Sequence, residues 1–327
     1  MRFNPKARLN TSRMRNSGGG GGGGGMGGGM GGGGGARIPL PGGTKAGGGI
    51  GFVVIVVVIL LLKACGGIDL TGAIGAGGAA SGYSSSRFTG DTGLYQGCTT
   101  GQDANDHPTT CGVVAVENSL NDYWSKTLPQ QAPKASFQPE AAINTFSGQT
   151  PSGCGTAQSG MGPFYCPPDQ TIYFDPTFFK QILQGQLNGP SGAFVEPYVI
   201  AHEFGHHIQN LLGTMSKVKT QQGPNSDSVR LELQADCYAG MWAKSATTTE
   251  DSQGNVLIQD LTQQDIQDGI AAAKSVGDDT IQKETTGKVQ PEQWTHGSSA
   301  ARVKWFMTGY QNGTLDACNT FNGQNVE

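Results

Sequence analysis

Histidine is scarce in this chain of 327 residues, with five in all. A metal site built on imidazoles must therefore draw on very few positions. Acidic residues are missing entirely before Asp69, although the chain holds 25 of them, and eight of its 21 basic residues precede that point. The 13 remaining basic residues face all 25 acids, so the part after residue 68 is strongly acidic. That balance excludes a nucleic-acid-binding domain, which needs a basic footprint. The seven cysteines include no CxxC pair, which excludes a zinc cluster built on thiolates. No internal repeat stands out.

What is present begins with glycine. Of 54 glycines, 16 lie between Gly18 and Gly35, interrupted only by Met26 and Met30. Such a tract cannot bury enough apolar surface to offset its ordering entropy. Residues 1–44 are therefore expected to form a disordered, basic, Gly-rich tail. One long apolar run follows, from Ile50 to Leu62. With its neutral flanks it reaches the length of about 20 residues needed for a bilayer, and Lys63 can snorkel to the interface. Residues 45–68 are read as one transmembrane helix. Its basic, acid-free approach places the N-terminus in the cytoplasm and the rest of the chain outside. A buried parallel strand, and a lipoprotein cleavage box at Leu62-Lys63-Ala64-Cys65, are the alternatives. Residues 69–90, rich in Gly, Ala and Ser, read as a linker to a domain over 91–327.

Six cysteines follow the apolar run: Cys98, Cys111, Cys154, Cys166, Cys237 and Cys318. An even number suits disulfides in an oxidising exterior. Proximity favours Cys98–Cys111 and Cys154–Cys166, which leaves Cys237–Cys318 to tie the C-terminus to the core. Helical spacing runs from Val113 to Trp124 and stops before Pro129. Further helices are expected over 196–212, 228–244, 262–276 and 298–310. Thr171 to Asp175 reads as a strand, either in the core or at an edge that could accept an extended peptide. Mostly helices with one small sheet make an α+β architecture.

The chemistry sits in Tyr198-Val199-Ile200-Ala201-His202-Glu203-Phe204-Gly205-His206-His207, an HExxH motif in an apolar segment. On a helix, His202 and His206 lie one turn apart on one face and can bind one Zn²⁺. Glu203, one residue round, can act on a metal-bound water without ligating. A third protein ligand is required, and no histidine follows at the spacing that extended HExxH proteases use. Glu232-Leu233-Gln234-Ala235-Asp236 follows instead on an expected helix. Glu232 suits the third ligand. Asp236, four residues on and sharing its face, would accept the second N–H of a ligating imidazole. A solvated helix face near Arg230 is the bland alternative for this pair. His296, in a Thr-His-Gly turn, is the leading donor for an oxyanion, with Arg302 and Tyr238 behind it, or else a surface histidine. His207 points to another helical face and is read as structural, His107 as a surface residue, and the four tryptophans as core.

HEFGHH followed by ELQADCYAG resembles the gluzincin metallopeptidases, and more closely the bacterial neutral zinc metallopeptidase family. The likeness runs from Arg37 to Phe321 and includes RIPLPGG, IDLTG, GCGTAQSGMGPFYCPPDQTIYFD and THGSSAARVKWF. It implies a zincin-like fold, a zinc cofactor and peptidase activity on peptide or protein substrates. His202, His206 and Glu232 would be the ligands and Glu203 the general base and acid. The alternative is an inactive, zinc-stabilised binding or scaffold domain at the membrane.

Overall fold

Short polar residues cap the starts of four of the described helices. Ser226 Oγ accepts from the Val229 N–H and Ser298 Oγ from the Ala301 N–H. Thr262 and Asp265 form a reciprocal capping box, as do Thr100 and Asp103. A computed structural model describes residues 1–19 and 93–327. In chain order the elements are β1 (Arg2–Phe3), β2 (Met14–Gly19), α1 (Gly101–Asp106), α2 (Cys111–Gln131), β3 (Ala142–Ser147), β4 (Gln149–Ser152), β5 (Gly155–Gln158), β6 (Phe164–Cys166) and β7 (Thr171–Phe174). A π-helical stretch, Phe179–Gln184, leads to α3 (Val195–Leu211), α4 (Asp227–Ser245), β8 (Ile258–Asp260), α5 (Gln263–Ser275), α6 (Asp278–Thr286) and α7 (Ser299–Asn312).

The principal sheet has the order β2-β3-β7-β6. Its first three strands are parallel and β6 runs antiparallel to β7, with Tyr165 opposite Ile172. Alternation along β7 separates two cores. Ile172 and Phe174 enter the main one, while Tyr173 joins Phe146, Phe164 and Ala157 in a smaller cluster on the other face. The helices supply the rest of the main core, where Trp124 and Trp242 are fully buried. Trp242 Nε1–H donates to Ser119 Oγ at 3.1 Å, so its one polar group is satisfied.

Helix α4 packs on both α3 and α7. The second crossing is so close that a Cβ on Gly309 would lie 1.8 Å from the Cys237 carbonyl oxygen, which requires glycine there. This approach brings α7, and Arg302 on it, against the site helices. The three disulfides pair Cys98 with Cys111, Cys154 with Cys166 and Cys237 with Cys318, as proximity favoured.

The mixed helical and sheet architecture is α+β, as expected. Helix α2 does not stop before Pro129 but runs to Gln131. Pro129 lies in its last turn, where a missing N–H removes a single hydrogen bond. Helix α6 was not anticipated, because Gly277-Asp278-Asp279 reads as a terminator; the two aspartates occupy the first turn of the next helix. The largest correction concerns the start of the chain. Residues 1–19, expected within a disordered tail over 1–44, contribute β1 and β2 and bury Phe3, Ala7 and Met14 in the main core. The glycine tract from Gly20, the transmembrane segment expected over 45–68 and the linker at 69–90 lie outside the described residues. Among the described residues no helix is long and apolar enough to cross a membrane.

Candidate metal centre

Helix α3 carries Pro197 in its first turn and ends before Gly213, whose φ of 69° gives the left-handed stop. Its 3.6-residue period sets His202 and His206 side by side, with ring centroids 4.9 Å apart. Helix α4 brings Glu232 across to them. Glu232 Oε2 is 3.1 Å from His202 Nε2, and Oε1 is 3.5 Å from His206 Nε2. The three donor atoms lie within 4.8 Å of one another, and all three residues are buried. Two imidazole nitrogens and a carboxylate, held together away from water, form the donor set of a catalytic zinc site. The residues therefore fit the metal.

The far side of each imidazole is anchored separately. His202 Nδ1–H donates to Asp236 Oδ1 at 2.8 Å, leaving Nε2 to face Glu232. Asp236 is fully buried and also accepts from Tyr198 Oη at 2.5 Å. Arg302 donates to both of its oxygens, from Nε at 2.8 Å and Nη2 at 2.9 Å. Burial alone would raise the Asp236 pKa, but Arg302 and His202 outweigh it and hold the carboxyl at about 2. His206 Nδ1–H donates to Gln209 Oε1 at 2.8 Å. Gln209 in turn donates to the Leu231 carbonyl and to Gln234, which donates to the Cys318 carbonyl. Hydrogen-bonded carboxylates and amides behind ligating histidines fix the tautomer and orientation that a metal needs.

Glu203 is buried beside the two imidazoles, and the backbone N–H of Tyr165 donates to its carboxylate. Burial raises its pKa and the two histidines oppose that rise, leaving it above the ordinary glutamate value. That favours a group that must accept and then return a proton. Tyr165 is itself tied down, because its hydroxyl donates to His207 Nδ1 at 3.0 Å and accepts from Asn210. His207 completes the link by donating from Nε2 to the Gln138 carbonyl at 2.8 Å.

His207 is thus structural, and its burial pulls the pKa down to about 4 from 6.5. Between those values the unfolded chain binds a proton at this position and the folded chain does not. Stability should fall by about 3 kcal/mol as pH drops through that window. Denaturant unfolding at neutral and acid pH checks this: His207→Gln should show a flatter dependence than the native chain. An equal slope in both would refute the assignment.

His296 stands at the rim, its side chain 28% exposed, with Nδ1 2.9 Å from Thr295 Oγ1 and 3.4 Å from Asp278 Oδ1. Asp278 Oδ2 accepts the backbone N–H groups of Thr295, His296 and Gly297 at 2.7, 2.6 and 3.0 Å, which holds the turn. Burial lowers the His296 pKa, but Glu232 and Asp278 raise it more, so the imidazole is pushed toward its charged form. The two other donor candidates are placed differently. Arg302 is committed to Asp236, and Tyr238 is buried against Trp124 in the core. The strand Thr171–Phe174 lies between β3 and β6 and is not an edge; among the described residues β6 is. His107 is exposed.

The structure brings together His202, Glu203, His206, Glu232 and Asp236 as the spacing suggested. Sequence reasoning missed Gln209, Asp278 and the anchoring role of Tyr198. Gln209 lies on the His206 face, three residues on, and that spacing was the available signal. Nothing local marks Asp278 or Tyr198.

Comparison with known proteins agrees with this chemistry. Residues 4–321 match the family described as "Putative neutral zinc metallopeptidase". The uncharacterized protein Rv2575 of Mycobacterium tuberculosis is 48% identical over 231 residues, covering 70% of this chain and 76% of the relative. The uncharacterized protein YpfJ of Escherichia coli is 36% identical over 261 residues, 78% of this chain and 81% of the relative. No solved structure matches. With nearly the whole length matched and the donor set in place, the chain belongs to this zinc metallopeptidase family.

Proposed function

We propose that the protein is a zinc-dependent peptidase, with His202, His206 and Glu232 holding the metal and Glu203 as general base and acid. Bound zinc would lower the pKa of a water and polarise the scissile carbonyl. Glu203 then takes the proton of the attacking water and returns it to the leaving amine. The Tyr165 N–H keeps its carboxylate in place through both transfers. His296, steadied by Asp278, donates to the developing oxyanion from the rim. An extended substrate adds along β6, the sheet edge that carries Tyr165 beside Glu203. The three disulfides support an oxidising compartment for the domain.

The observation that carries this reading is Glu203. A structural zinc site has no use for a buried carboxylate beside its ligands, and among the described residues the metal-binding group contains three protein ligands, not the four that would close it. An inactive scaffold is accordingly disfavoured. The test uses purified full-length protein and an unfolded substrate such as casein. One zinc per chain and hydrolysis that stops on chelation and returns with zinc are expected. Hydrolysis that persists in protein shown by metal analysis to be zinc-free would overturn the proposal.

A further inference from the structure

The first nineteen residues are bound by a site built to receive them. Asn105 takes both backbone groups of Phe3, accepting from its N–H and donating to its carbonyl at 2.9 Å each. Asn118 does the same for Asn10, at 2.7 and 2.9 Å. Two asparagine side chains thus clamp an extended backbone. Gly101 lies under the segment, where a Cβ would meet the Asn4 carbonyl oxygen at 2.0 Å. Further along, β2 covers the edge of β3, pairing Met14 with Ile143 and Asn16 with Thr145.

Charge completes the seat. Glu117 and Glu140 are buried together, bridged by Asn121. Arg13 Nε lies 2.5 Å from Glu117 Oε1 and 3.6 Å from Glu140 Oε1. Among the described residues it is the cation in ion-pair reach of either. Without the segment, the buried Glu117–Glu140 pair would lose the cation in its reach and a sheet edge would lie open. The segment also rests on the Cys98–Cys111 loop, with Leu9 N–H donating to the Thr99 carbonyl and Gly101 N–H to that of Ala7. The family match begins at residue 4, inside this segment.

We infer that residues 1–19 are an integral arm of the zinc-site domain, and that arm and site therefore share one side of any membrane the chain meets. An odd number of crossings between Gly19 and Gly93 is incompatible with these contacts, since the arm could not reach its seat. The single crossing expected from the apolar run at 50–62, with a cytoplasmic N-terminus and the domain outside, conflicts with these contacts. A second copy does not rescue the single crossing, because its arm would be on the wrong side too. This inference does not depend on peptidase activity.

Two measurements on the full chain test it. Lys6 and Lys288 are both exposed, one on the arm and one on the domain. Lys6→Cys and Lys288→Cys, each with Cys65→Ser, are treated with a membrane-impermeant maleimide before and after lysis of spheroplasts. Both sites reacting at the same stage is expected; one reacting before lysis and the other only after it would overturn the inference. For docking itself, a protease site is placed in the glycine tract and the purified protein is cut there. The arm should remain with the domain through gel filtration, and Arg13→Ala should weaken its retention at least ~100-fold. An arm that separates without denaturant from the cut protein that retains Arg13 would also overturn it.

Discussion

Glu203→Gln should lower kcat/KM by about 10³- to 10⁴-fold while leaving zinc bound. Glutamine preserves the shape and can still meet the Tyr165 N–H through its carbonyl oxygen, but it cannot take a proton from water. The metal ligands are untouched, because Glu203 is not one of them. Turnover of a fluorogenic peptide and zinc content per chain, measured on the same preparation, separate the two effects. A variant that keeps its zinc and hydrolyses at the native rate would remove Glu203 from the mechanism. One that loses its zinc would show that the carboxylate belongs to the metal site instead.

Arg302→Met should destabilise the fold by about 3–5 kcal/mol, because it leaves Asp236 as a buried charge without its main partner. Asp236 is fully buried and Arg302 only 4% exposed, so water cannot substitute for the guanidinium. The damage should reach the metal as well. Asp236 orients His202 through Nδ1, and loosening such a support costs about 10- to 100-fold in metal affinity. Denaturant unfolding and zinc competition against a chromophoric chelator check both halves. Unchanged stability would mean that Asp236 is neutral in the native state. Unchanged zinc affinity would mean that His202 is held without it.

The parts of this structure legible in the sequence are those in which one element carries its own signal. Helix α3 could be placed because Pro197, an apolar stripe and Gly213 bracket the motif. Helices α4, α5 and α7 announce themselves by Ser226, Thr262 and Ser298 at their N-caps. His202, Glu203 and His206 share a single helix, so spacing alone determines their faces. Glu232 and Asp236 were readable for the same reason, once a third ligand was required. Arg302 was noticed but given the wrong task, since its partner Asp236 is 66 residues away in sequence. The arm was misread because β1 has two residues and β2 runs into glycine. Strands so short carry no usable alternation, and their stability comes from the edge and carboxylates that receive them.

Local spacing and residue chemistry were enough to single out the proposed metal ligands and general base and to pair the six cysteines. What stands behind them emerges from packing. It committed Arg302 to Asp236, tied Gln209 behind His206 to the Leu231 carbonyl, set β6 rather than β7 at the edge of the described sheet beside Glu203, and seated the first nineteen residues against the domain. Those contacts join positions tens to hundreds of residues apart, and they form where burial leaves a charge or a backbone group in need of a partner. Such needs arise when the chain packs, and no window of sequence contains them.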